Sequence, residues 1–356
     1  MTAVAPAQSQ SQSRTASRPA RGKLPLRPLG RTGMSITRAG FGAWAIGGAG
    51  WSFGWGAQDD AASVAAIRHA LDRGINWIDT AAVYGLGHSE EIVRRALAEI
   101  PADRRPYVFT KCGLVWDEAN RTAPPKRVGS VASLKREVED SLRRLGVERI
   151  DLYQMHWPAE DGTPVETYWQ TLLDLKREGK VRALGLSNHS VAQLAKAEAL
   201  GHVDTLQPPF SAINRSAASE LAWCAAHETG VIVYSPMQSG LLTGAFDERR
   251  AKALPADDWR SRSSNFTGDG LQRNLKLAAA LKPIADKHKT SVGAVAVAWT
   301  LAWPGVTAAI VGARSPDQVD GWADALTLEL TADDVAEIGR AIEGTGAGSG
   351  PVRPPR

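Results

Sequence analysis

The feature that most constrains this chain is an alternation of short apolar runs with helical patterns, repeated eight times between residues 39 and 325. Strand-like runs lie near 39–45, 75–79, 106–111, 150–156, 181–187, 204–208, 231–235 and 306–311. Between them, apolar residues recur at the spacing of half-buried helices. Asp59 and Asp60 open one helix, Val64, Ile67 and Leu71 give its buried face, and Gly74 stops it. Ser89-Glu90-Glu91 opens the next, and Val131, Leu134, Val138, Leu142 and Leu145 mark a third, ended by Gly146. Thr163-Pro164-Val165-Glu166 reads as a capping box with proline at the first helical position, and Ser190 to Gln193 repeats the box. Further helices are predicted over 217–228, 274–289 (with Pro283 as a candidate kink), 291–303, 315–325 and 331–343.

Eight strand–helix units in strict alternation predict an α/β chain of the closed (β/α)8 TIM-barrel class. An N-terminal β-hairpin over 24–37, turning at Leu29-Gly30-Arg31-Thr32-Gly33-Met34, precedes it, and extra helices lie near the C-terminus. The competing architecture, an open doubly wound sheet, would carry Gly-x-Gly-x-x-Gly after its first strand. Gly40-Phe41-Gly42-Ala43-Trp44-Ala45 lacks the third glycine. The expected organisation is a disordered tail over 1–23, one barrel over 24–343 and a flexible Gly/Pro-rich tail over 344–356. The longest interruption, 236–272, is polar and long enough to expect a function.

Composition narrows the partners. Residues 1–58 hold seven of the 42 basic residues and none of the 38 acidic ones, so the rest of the chain is net −3. The basic character is a property of the leading segment and does not mark a nucleic-acid-binding body. Within it, residues 1–23, Arg/Ser-rich and acid-free, also have the make-up of an organelle transit peptide. No apolar run is long enough to span a membrane. Two cysteines, Cys112 and Cys224, give no disulfide framework and fit a reducing, cytoplasmic setting. No metal site is expected.

In a barrel of this kind chemistry sits at the C-terminal ends of the strands. The second strand ends at Asp79 with Tyr84 in its loop, the third at Lys111 and the fourth at His156. A carboxylate, a phenol, an amine and an imidazole are thus directed to one mouth. Taken alone, each has a plainer reading as a solvated or core residue, but their joint occurrence at three successive strand ends argues against that.

The chain from about Leu26 to about Glu343 resembles an aldo-keto reductase. The resemblance rests on Arg27-Pro28-Leu29-Gly30-Arg31-Thr32-Gly33, Ile78-Asp79-Thr80-Ala81 with Tyr84-Gly85, Thr110-Lys111, Gln154-Met155-His156-Trp157, Gly185-Leu186-Ser187-Asn188, Tyr234-Ser235-Pro236 and Gly312-Ala313-Arg314-Ser315-Pro316. It implies a catalytic tetrad of Asp79, Tyr84, Lys111 and His156. Tyr84 would donate a proton to a carbonyl oxygen, with Lys111 lowering its pKa, Asp79 holding Lys111, and His156 directing the oxygen.

The resemblance also implies a nicotinamide cofactor, NADPH/NADP+ with NADH as the weaker alternative. Ser187, Asn188 and Gln207 would meet its carboxamide and Tyr234 would stack on its ring, with Trp44, Ser235 and Gly312 nearby. Ser239, Gly240 and Leu241 would begin the loop over the pyrophosphate. Arg314 and Gln318, with Ser315, would meet the adenosine end, Arg314 on the 2′-phosphate. Relatives often carry Glu-Asn after that glutamine, whereas this chain has Val319-Asp320-Gly321-Trp322, so Trp322 is either a stacking partner or core. The loop tryptophans Trp51, Trp55, Trp116 and Trp157, with Phe53, would line an apolar pocket for a small-molecule carbonyl substrate.

Neither a nucleic acid nor a membrane is an expected partner, and a homo-oligomer stays open. Two other readings compete: a redox-sensing module like the barrel β subunits of potassium channels, and a Schiff-base barrel enzyme using Lys111.

Overall fold

The structure, a computed structural model, describes residues 24–255 and 258–354. The expected tail over 1–23 lies outside the described residues. Strands β1 (Leu26–Pro28) and β2 (Ser35–Thr37) pair antiparallel as the hairpin. Eight strands then form a closed parallel barrel in chain order: β3 (Ala39–Gly42), β4 (Trp77–Asp79), β5 (Tyr107–Cys112), β8 (Ile150–Met155), β9 (Val181–Ser187), β10 (Thr205–Gln207), β11 (Gly230–Tyr234) and β12 (Ala308–Gly312). β12 pairs back on β3, with Ala309 opposite Ala39. Two short strands, β6 (Leu114–Val115) and β7 (Lys126–Arg127), form an antiparallel flap after β5.

The outer helices are α1 (Asp60–Asp72), α2 (His88–Leu97), α3 (Val131–Leu145), α4 (Val165–Arg177), α5 (Val191–Glu198), α6 (Ala218–Ala226), α7 (Glu248–Lys252), α8 (Gly268–Ala280), α9 (Lys282–Lys287), α10 (Val292–Ala302), α11 (Pro316–Asp320) and α12 (Ala332–Thr345). Amphipathic faces set their docking: in α3, Leu134, Val138 and Leu145 are buried against the sheet while the charged face is exposed. α10 is almost wholly buried, so its sequence lacks a polar stripe. Among the described residues no helix is long and apolar enough to cross a membrane.

Side chains fill the barrel interior. Trp77, Phe109, Leu152, Ala183, Ile232 and Ala308 form one cluster, and Leu29, Met34 and Ile36 of the hairpin join it. The hairpin therefore plugs the N-terminal end of the barrel and leaves the opposite end for chemistry. Gly40 has a packing reason: a Cβ there would stand 2.2 Å from the Trp77 ring.

Several expectations differ from the structure. The single helix over 274–289 is two, α8 and α9, because Pro283 sits in the first turn of α9, where its missing N–H costs nothing. The Ser190–Gln193 capping box forms, but the one at Thr163 does not: Pro164 flanks α4, and Asp161 Oδ1 accepts from the Thr163 amide over 3.1 Å. Trp322 is buried core.

The largest difference concerns 344–356, expected to be flexible. Its described part packs on the barrel. Asn214 bridges to Ser349, and the buried Arg215 guanidinium donates to the carbonyls of Ala212, Ala347 and Gly350 and, over 3.0 Å, to that of Pro351. Gly348 has φ +68, and a Cβ there would fall 1.7 Å from the Ile213 carbonyl oxygen. Gly348 and Gly350, read as flexibility, are needed for close approach to Ile213 and Arg215.

Candidate active site

β4 and β5 deliver the charged pair. Asp79 ends β4 and Lys111 lies near the end of β5; both are buried, with Lys111 only 1% exposed. Lys111 Nζ donates to Asp79 Oδ1 over 2.5 Å, to the Thr80 carbonyl over 2.8 Å and to the Tyr84 hydroxyl over 3.3 Å. A lysine ammonium has three donors, and all three are placed. Burial pushes Asp79 above and Lys111 below their ordinary ranges, and their mutual contact opposes both shifts.

Tyr84 is half-buried in the loop after β4, its ring 5.6 Å from that of His156 in an edge-to-face arrangement. Burial, helped by the Asp79 carboxylate, pushes the Tyr84 phenol well above its ordinary pKa. The expected lowering by Lys111 is therefore not present here. Burial outweighs it, and the Asp79 carboxylate, 2.5 Å from the ammonium, opposes the field that the ammonium exerts on the phenol. The result is a neutral phenol with a proton to give. His156 is held well below its ordinary value by burial, then by Lys111 and Arg127, so its imidazole is neutral too.

The next ring of groups is one hydrogen-bonded system. Gln207 Nε2 donates to Asp79 Oδ2 over 2.8 Å and lies 3.4 Å from Gln154 Oε1. Ser187 Oγ donates to the Gln207 carbonyl over 2.8 Å. Asn188, held at φ +63, donates to the His156 carbonyl over 3.0 Å and accepts from Tyr234 Oη over 2.8 Å. Buried His189 behind it bridges the Ser187 carbonyl and Tyr168 Oη, each over 2.7 Å; the carbonyl requires a proton on Nδ1, so of the two neutral tautomers only the Nδ1–H form fits.

Of the residues predicted for the cofactor, Ser187, Asn188, Gln207 and Tyr234 are thus brought together beside the tetrad. Ser235, Ser239 and Gly240 follow β11 in a run of positive φ, half-buried, with Leu241 buried beneath. Gly312 is exposed at the end of β12. Arg314 and Gln318 follow β12, the neighbour of β11 in the barrel, and Gln318 Oε1 accepts from the Arg314 amide over 2.8 Å.

The tryptophans gather at the same end. Trp51 is buried against Ala81, Val83, Leu86 and Leu114, 6.4 Å from the Tyr84 ring, with half-buried Trp44, Trp116 and Trp157 against the same cluster. Trp44 meets Trp55 at 5.4 Å, and Trp55 meets Trp259 at 6.4 Å. Arg127 covers Trp157 at 4.4 Å, and Arg144 stands 5.9 Å over Trp116. Phe53 is 44% exposed, its ring 5.9 Å from that of Trp51 in an edge-to-face arrangement.

Sequence reasoning missed Gln58, Arg127, Gln154, His189 and Trp259. Gln154 carried a readable signal, since it lies two residues before His156 and so shares its side of the strand. Gln58 and Arg314 are 256 residues apart, and no local pattern announces their contact.

A closed barrel with a buried lysine–aspartate pair, a phenol and a neutral imidazole at its C-terminal mouth defines the class: an oxidoreductase of carbonyl compounds. The chain matches the model of the Aldo/keto reductase family over residues 39–343, and it belongs to that family. It is 35% identical to the aldo-keto reductase YhdN of Bacillus subtilis, over 88% of this chain and 92% of that protein. It is 32% identical to the NADH-specific methylglyoxal reductase of Escherichia coli, over 89% of this chain and 98% of that protein. Among solved structures, a glycerol dehydrogenase from Gluconobacter oxydans superposes with a TM-score of 0.82 at 38% identity, covering 93% of this chain and 98% of the other. An aldo-keto reductase from Bacillus halodurans, at 24% identity and a TM-score of 0.74, shares the fold.

Proposed function

We propose that the protein reduces aldehyde or ketone carbonyls to alcohols with NADPH, using Tyr84 as the proton donor. The observation that carries this reading is the three-way contact of Lys111 Nζ with Asp79, the Thr80 carbonyl and Tyr84. The residues present fit a nicotinamide group. Side-chain amides and hydroxyls of Asn188, Gln207 and Ser187 converge beside Tyr234, and the space next to the Gly240 α-carbon is open. The reduced nicotinamide, when bound, supplies the hydride.

The chain's own groups do the rest. Tyr84 gives its proton to the carbonyl oxygen as charge develops there. Lys111 donates to the same hydroxyl and stabilises the phenolate left behind. Asp79 keeps the ammonium in place, and Gln207 keeps Asp79 aimed. Neutral His156 supplies a second hydrogen bond to the oxygen without competing as an acid. Trp51, Trp116 and Trp157 give the pocket apolar walls, which suits a small carbonyl compound with an apolar or sugar-like face.

Arg314 is the group assigned to the 2′-phosphate. The Escherichia coli relative named as NADH-specific makes cofactor choice the sharpest test. Oxidation of NADPH and NADH is followed over aldehydes, quinones, ketosteroids and sugars. Turnover with at least one carbonyl class is expected, faster with NADPH. Slow single-turnover oxidation with every class would favour a sensor module instead.

A further inference from the structure

We propose that Gln58 is a specificity-determining residue for the cofactor: it clasps Arg314 in a two-way contact that a 2′-phosphate has to open to take the side-on, Nε edge of the guanidinium. The proposal rests on the reading that Arg314 faces that phosphate.

Gln58 Oε1 accepts from Arg314 Nε over 2.6 Å, and Gln58 Nε2 donates to the Arg314 carbonyl over 3.0 Å. Arg314 Nε can only donate and its carbonyl can only accept, so the amide orientation is dictated by its partners. A second anchor agrees. The buried Ser63 hydroxyl donates to the Asp59 carbonyl over 2.9 Å, which leaves its lone pair for Gln58 Nε2 at 3.0 Å. Asp59 itself caps α1, accepting from the Ala62 amide over 2.7 Å. The clasp is therefore fixed to the first turn of a barrel helix. Arg314 Nη2 is taken as well, by the Ala57 carbonyl.

An arginine grips phosphate best with two parallel N–H groups. The side-on edge of the fork, Nε with Nη2, is committed to residues 58 and 57, so a two-pronged grip on that edge displaces protein acceptors and the undisturbed alternative is the end-on edge through Nη1. A 2′-hydroxyl makes no such demand. Gln58 thus lowers the advantage of a phosphorylated adenosine over a plain one, and it does so from a loop 256 residues away in sequence.

The test uses adenosine 2′,5′-bisphosphate and AMP as probes, with affinities measured by calorimetry on the full chain. In Gln58→Ala, bisphosphate binding is expected to tighten roughly three- to tenfold while AMP changes less than twofold. Gln58→Glu should bind the bisphosphate at least about tenfold more weakly, since a carboxylate holds Arg314 harder and repels phosphate. Equal losses for both probes in both variants would make Gln58 a structural residue only and overturn the proposal. Arg314→Ala separates the two claims. If bisphosphate keeps its advantage in that variant, the reading of Arg314 fails. If the advantage vanishes there but Gln58→Ala leaves it where it was, Arg314 stands and the clasp falls.

Discussion

The Lys111 ammonium donates to the Tyr84 hydroxyl over 3.3 Å, a longer contact than the 2.5 Å it makes with Asp79. The geometry orders the two interactions. Lysine is held by the carboxylate first and reaches the phenol second, which fits the proposed role of Tyr84 as a phenol that keeps its proton at rest.

Tyr84→Phe removes only that proton. Turnover should fall by about 10²–10⁴, while cofactor affinity, read by fluorescence titration, stays within about twofold. An unimpaired rate would exclude Tyr84 as the donor.

Lys111→Met should abolish carbonyl reduction and also cost stability, because it leaves Asp79 buried beside an apolar chain. Breaking a buried pair costs about 3–5 kcal/mol. The double variant Lys111→Met/Asp79→Asn should recover much of that stability in urea melts and none of the activity. Recovery of both would mean that the pair is structural alone.

His189 predicts a pH dependence. Burial lowers its pKa from the ordinary 6.5 to about 4. The unfolded chain then binds a proton that the folded one refuses, so stability is complete above pH 6.5 and declines as pH falls toward 4. The loss amounts to about 3 kcal/mol. In His189→Gln the decline between pH 6.5 and 4 should be shallower; parallel curves for the two proteins would show that His189 ionises freely in the fold.

Deleting residues 347–356 should destabilise the barrel by about 3 kcal/mol, since Arg215, 2% exposed, loses the carbonyls of Ala347, Gly350 and Pro351. Replacing Arg215 with methionine in the shortened chain should restore part of the loss in thermal melts. A shortened chain as stable as the full one would mean that water takes over those bonds.

The barrel was legible because its evidence is periodic: apolar spacing, cap residues and terminal glycines repeat eight times, so an error in one unit leaves the count intact. The convergence of Asp79, Tyr84, Lys111 and His156 was legible because strand ends are short and each holds a chemically distinct residue. What escaped was aperiodic. The Gln58–Arg314 clasp and the Arg215 cluster join distant segments through backbone carbonyls, which every residue type offers. Tyr84 shows a different limit. Its partner was visible in sequence, but its shift is set first by burial and then by the Asp79 carboxylate, and neither burial nor distance is written in the order of residues.

The tryptophan belt has an optical consequence. Six of the 12 tryptophans, namely Trp44, Trp51, Trp55, Trp116, Trp157 and Trp259, stand at the mouth, while others such as Trp77, Trp169 and Trp322 are locked in the core. Indole emission overlaps the absorption of a dihydronicotinamide and not that of its oxidised form. The protein therefore carries its own donor array for resonance energy transfer. Quenching of its ultraviolet emission will register the redox state of whatever nicotinamide lies in the barrel, with no label added.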